Sequence, residues 1–129
     1  MKSLTDVLQS KKLAEILPKE SADFHYVRNT HDFMGNPVDG KWSHPKYGNP
    51  NSQHAHYVVQ NFSSYEIIPC WSFAALLSVL PYPEIWQDNS TNRWACSSLI
   101  KDTEYLWESE NLVDSCVEVI IKLHKQKLL

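Results

Sequence analysis

Glycine is scarce in this chain. There are three in 129 residues, Gly35, Gly40 and Gly48, and all lie in one segment. A Gly-rich phosphate cradle has no place to form elsewhere, and no P-loop, dinucleotide fingerprint or Gly-x-Ser-x-Gly elbow is present. Cysteine is sparse and odd in number: Cys70, Cys96 and Cys116. That pattern points to free thiols in a reducing compartment rather than to a disulfide framework. Lys and Arg total 12 against 15 Asp and Glu, a formal net charge of −3, and the basic residues are scattered. A duplex-binding stripe of clustered cations is therefore excluded. No apolar run approaches the ~18 residues that span a bilayer. The first ten residues contain no apolar signal-type core. These absences lead to the expectation of a cytoplasmic protein that engages neither duplex nucleic acid nor membrane.

Aromatic residues, by contrast, are abundant, with five Trp, six Tyr and four Phe. Large rings close a small core efficiently and also make binding surfaces. The length suits one domain, residues 1–129, with a core that needs no disulfide or metal.

Along the chain, residues 3–17 have helical character, but Leu4, Val7 and Leu8 are out of phase with Leu13, Ile16 and Leu17. Either the helix is buried on two sides or it begins near Ser10, and Pro18 ends it. A short strand follows within Ser21–Arg28. Asn29 to Gln53 holds all three glycines and three prolines, and reads as a long Gly/Pro/His-rich loop, the leading place for a functional surface. His54 to Phe62 reads as a strand. The most apolar stretch, Ile67 to Pro81, reads as a buried central helix starting at Pro69. Strands over 84–87, 93–100 and 103–107 make a three-stranded meander. Ser109 is the expected N-cap of a final helix. Its stripe of Leu112, Val113, Cys116, Val117, Ile120, Ile121 and His124 has a 3.6-residue period, and lysines close it. The fold expected is α+β, an antiparallel sheet including this meander, packed against about three helices.

Three constellations can carry chemistry. Cys70 falls at the expected start of the central helix, where a thiol pKa is lowered and backbone N–H groups can receive an oxyanion. The string Cys70-Trp-Ser-Phe-Ala74 resembles the nucleophile segment of papain-like cysteine proteases, although Ile68-Pro69 replaces the residues that precede the cysteine in that family. A permuted arrangement of that type would place the histidine on an earlier strand, which selects His54 or His56 as the partner of Cys70. The competing reading of Cys70 is a small buried hydrophobe. His31, His44, His54 and His56 lie in or beside the long loop, and His54-Ala-His56 puts two imidazoles on one strand face, which with a third ligand would suit zinc. No His-Glu-x-x-His or Cys-x-x-Cys spacing accompanies them, so neither metal nor other cofactor is expected. Trp86, Trp94 and Trp107 fall on successive meander strands and form a stacking platform if they share a face; Trp42 in the loop is a further binding candidate.

Three segments, Ser10 to Asp23, Ile68 to Pro81 and Glu110 to Leu123, together resemble a group of small uncharacterised proteins from bacterial genomes and their phages or mobile elements. The resemblance implies a bacterial or phage-derived origin and supplies no site residues. The reading that results is a non-catalytic domain that binds a protein or peptide partner or a second copy of itself. The alternatives are a small cysteine hydrolase using Cys70 with His54 or His56, and a metal-binding domain using the His-rich loop.

Overall fold

The computed structural model describes residues 2–51 and 64–129. The fold is α+β: three α-helices and two three-stranded antiparallel sheets among the described residues. The chain divides into two compact units, Asp6–Trp71 and Ser72–Leu129 joined by the residues up to Thr5. The strand expected over 54–62, with His54 and His56, lies outside the described residues.

In the first unit, α1 spans Val7–Ala14. Its start is fixed at Asp6 by a capping box. Asp6 Oδ1 accepts the Gln9 N–H at 2.8 Å and Gln9 Oε1 accepts the Asp6 N–H at 3.1 Å. Two orphan donors of the first turn are thereby satisfied. This resolves the phase conflict of residues 3–17: Ser10 and Leu13 are the buried positions of a short helix, and Leu8 stays exposed. A single 3₁₀ turn, Lys19–Ser21, follows Pro18.

The sheet of this unit has the order β2-β1-β3, with β1 at Phe24–His31, β2 at Lys46–Tyr47 and β3 at Ser64–Cys70. Much of the expected long loop is therefore pinned to β1. Asp32 closes a turn by accepting the Met34 and Asn36 N–H groups, both at 2.9 Å, and Gly35 supplies the positive φ of +84°. The chain returns alongside β1, where Ser43 N–H donates to Val27 O at 2.8 Å. Gly40 is required there, because a Cβ would lie 2.1 Å from the Asn29 carbonyl oxygen.

The central stretch departs from expectation in one respect that matters. Pro69 and Cys70 are the last residues of β3, opposite His25 and Phe24, and not the first turn of a helix. Proline is tolerated here because β3 is the edge of the described sheet. The helix, α2, starts later, at Phe73–Val79, with Ser72 as N-cap accepting the Ala75 N–H at 3.2 Å.

The second unit contains α2, the meander and the last helix. The meander strands are β4 at Pro83–Gln87, β5 at Trp94–Ile100 and β6 at Thr103–Ser109, in that order. The β5–β6 turn is Lys101-Asp102, both with positive φ (49° and 66°), as a two-residue type I′ connection demands. The last helix, α3, spans Leu112–Lys125. Its N-cap is Asn111, whose Oδ1 accepts the Asp114 N–H at 2.9 Å; the expected cap, Ser109, is instead the last residue of β6. Four of the seven stripe residues, Val113, Cys116, Val117 and Ile120, are buried, Leu112 and Ile121 are half-buried, and Val119 and Leu123, outside the expected stripe, are buried as well. His124, placed on that stripe, is exposed.

Two stability outcomes follow. Ile120 is fully buried, so Ile120→Ala should cost about 2–4 kcal/mol by lost transfer energy and cavity formation. Lys101→Asn with Asp102→Gly matches the type I′ turn to residues that tolerate positive φ, and should stabilise by about 0.5–1 kcal/mol. Urea midpoints at unchanged m-value would check both.

Candidate functional site

The register of the meander decides which side chains meet. Across the strands, Ile85 is opposite Cys96 and Cys96 opposite Trp107; Trp86 is opposite Ala95 and Ala95 opposite Glu108. Partners directly opposite one another in an antiparallel ladder project from the same face. Trp94 is two residues from Cys96 and shares the face of Cys96 and Trp107, whereas Trp86 projects from the other. The three-tryptophan platform is therefore not formed: Trp94 and Trp107 are on one side of the sheet and Trp86 is on the opposite side.

The face that carries Trp94, Cys96 and Ser98 is the inner one. Here α3 packs on it, with Cys116 Sγ 3.2 Å from Cys96 Sγ. Ser109 and Ser115 hydroxyls lie 2.7 Å apart, and Ser115 donates to the Trp94 carbonyl oxygen at 2.8 Å. A second hydroxyl, that of Ser98, donates to the Pro81 carbonyl oxygen. Polar groups buried on this side are thus bonded.

The other face is made of three rows. Trp86, Ala95 and Glu108 form one; Glu84, Ser97 and Leu106 the next; Leu99 and Glu104 the third. Ala95 and Ser97 at the centre are buried, but Trp86, Leu106 and Leu99 are 36, 36 and 45% exposed. A cavity of about 360 Å³ opens on this face, lined by Tyr82, Glu84, Ser97, Leu99 and Glu104. Tyr82 reaches it from the chain just before β4, where its φ is +42°. None of Glu84, Glu104 and Glu108 forms an ion pair among the described residues. Carboxylates near strand ends are ordinarily solvated charges, so composition alone does not single out this group. The available signal was the alternation Glu84-Ile-Trp86 and Glu104-Tyr-Leu106-Trp-Glu108, which puts acid and apolar side chains on one face at period two.

Cys70 does not have the setting of a nucleophile. Its residue is fully buried, at the end of a strand and two residues before the helix N-cap. Tyr26 lies two residues from Phe24, the register partner of Cys70, and its hydroxyl is hydrogen-bonded to the Cys70 side chain. Burial foremost, and then the Cys70 and Asp6 charges, raise the Tyr26 pKa above its ordinary value. His25 is buried and next in sequence, but it pairs with Pro69 and so projects from the opposite face; its Nδ1–H donates to the Gly48 carbonyl oxygen at 2.7 Å. This histidine, which was not a candidate in the sequence, ties the return segment to β1. His54 and His56, the partners expected for Cys70, lie outside the described residues.

The remaining candidates are dispersed. Among the described residues no group of three or more His, Cys, Asp or Glu is placed to hold a metal. His31 Nδ1 lies 3.1 Å from Thr30 Oγ1, and His44 is exposed. Trp42 is half-buried in the first unit, with Lys11 Nζ 5.4 Å and the Arg28 guanidinium 5.1 Å from its ring centre. Two cations occupy its π-surface, which gives the ring a packing role.

No protein-family model matches the chain, and neither the curated proteins nor the solved structures contain a match to it. No described helix is long and apolar enough to cross a membrane.

All three thiols are free and buried. The Cys116 thiol donates to Cys96, which holds Cys96 below the ordinary thiol range and pushes Cys116 above it. Burial should nevertheless dominate their reactivity: iodoacetamide should label the folded protein more than about tenfold slower than the urea-unfolded chain. Rapid labelling of the native protein that disappears in Cys70→Ala would restore Cys70 as a reactive group.

Proposed function

We propose that the protein is a non-catalytic binding domain that receives a protein or peptide segment on the outer face of its meander. One observation carries this reading: the side of the sheet opposite α3 leaves Trp86, Leu99 and Leu106 partly exposed, beside a cavity lined by Tyr82, Glu84, Ser97, Leu99 and Glu104. Exposed apolar side chains on a rigid sheet, rimmed by polar groups, are the composition of an interface core and rim. Trp86 is the anchor expected of such a surface, since tryptophan contributes large contact area at small conformational-entropy cost.

The reading also fits the setting of Cys70 among the described residues. The one cysteine placed near the apolar hub is buried against Tyr26. A reducing cytoplasmic setting belongs to the same proposal and is supported by three free thiols, and a bacterial or phage origin rests on the sequence resemblance alone.

The test is selection of a displayed random-peptide library on the wild-type protein, with counter-selection on Trp86→Ser and Leu106→Ser. Peptides should enrich on the wild type and lose about tenfold or more in affinity on either variant. Enrichment that is indifferent to both substitutions, with circular dichroism showing both variants folded, would sink the reading.

A further inference from the structure

We infer that the occupant of this face is a basic peptide segment of a partner protein, and that a lysine or arginine of that segment seats its cationic head between Glu84 and Glu104, above the Ser97 hydroxyl. The inference rests on the binding reading above and adds the chemistry of the partner.

Charge is the first argument. The outer face carries Glu84, Glu104 and Glu108 and no Lys or Arg. Arg93 and Lys101, at the two ends of β5, form no ion pair with these carboxylates among the described residues. Arg93 donates to the main-chain oxygen of Glu108 at 3.1 Å, not to its carboxylate. Three like charges on a partly apolar surface repel one another, and a bound cation relieves that repulsion.

A second, independent feature is Ser97. Its residue is 3% exposed and lines the cavity. Every other buried serine on the sheet or its covering helix has a side-chain partner: Ser98 bonds Pro81, and Ser115 bonds Trp94. The Ser97 hydroxyl has none among the described residues. A hydroxyl at the floor of a cavity with no protein partner is an acceptor open to a donor from outside.

The shape agrees with a long cationic side chain. Ser97 is directly opposite Glu84, and Leu99 directly opposite Glu104. The two carboxylates thus stand on the two outer strands, on either side of a floor made by β5. An ammonium or guanidinium group between them makes charge-assisted hydrogen bonds to both carboxylates and donates to Ser97. Its methylene stem lies along Leu99 and Tyr82, the apolar walls of the cavity. Flanking apolar residues of the segment then cover Trp86 and Leu106.

The experiment uses three synthetic octapeptides, (Lys-Leu)₄, (Gln-Leu)₄ and (Glu-Leu)₄, titrated into the ¹⁵N-labelled full chain and followed by amide shifts and Trp fluorescence. The lysine peptide should shift the Ser97, Leu99 and Glu104 amides. Glu84→Gln and Glu104→Gln should each weaken it about threefold and the double variant about tenfold, whereas Glu110→Gln, off this face, should leave it unchanged. Raising NaCl from 50 to 500 mM should weaken it by a similar factor. Equal binding of the glutamine peptide, or no effect of the double variant, would overturn the cation assignment while leaving peptide binding in place. Absence of any shift on this face with all three peptides would overturn the inference, and failure of the library selection would separately remove the binding reading. A wild-type dimer that Trp86→Ser abolishes without peptide would put a second copy on the face and also overturn the assignment.

Discussion

The packing of α3 on one side of the meander is the constraint on which the rest of the second unit depends. A strand has a side-chain period of two, so a sheet covered on one side has its entire inward and outward sets fixed together. Cys116 meeting Cys96 and Ser115 bonding the Trp94 carbonyl define that side. Once Cys96 faces inward, Ala95, Ser97 and Leu99 face outward, and their register partners Trp86, Glu84, Leu106 and Glu104 follow. A slip of one residue in β5 would turn the buried Cys96 and Ser98 away from α3 and bring Ala95, Ser97 and Leu99 under it.

The elements legible in the sequence are those specified by local chemistry. The α3 stripe, its lysine-rich end, the Lys101-Asp102 turn and the meander all depend on residues close in sequence. Boundaries at caps were less legible, because two good caps competed in each place. Asp6 prevailed over Ser10 through reciprocal bonding with Gln9, and Asn111 over Ser109 because Ser109 completes the ladder opposite Trp94. At Pro69 the ambiguity was physical: proline suits a first helical turn and an edge strand equally, and Ser72 starts the helix instead.

The grouping of tryptophans could not be read, because it depends on the parity of the register. Trp86 and Trp94 are both at even positions, and a loop one residue longer or shorter could have set them opposite each other. The loop Asp88–Arg93, closed by Asp88 N–H to Arg93 O and Asn92 N–H to Asp88 O, pairs even positions with odd ones. Trp86 therefore meets Ala95 and is separated from the others. Cys70 was misplaced by the same kind of non-local fact, since its partner across the sheet, Phe24, is 46 positions away in the chain.

The same parity gives the outer face its charge. The chain has 15 acidic and 12 basic residues, an excess of three. Glu84, Glu104 and Glu108 put three of these carboxylates on one face, none of them in an ion pair among the described residues. Three like charges on strands with a partly apolar floor focus the potential there. An evenly solvated acidic face would have no reason to hold Trp86 and Leu106 among its carboxylates, and a purely apolar contact would have no reason to hold the carboxylates. The proposed partner would bring a cation and an apolar surface within the width of three strands, which the methylene stem and charged head of a lysine or arginine supply in one residue.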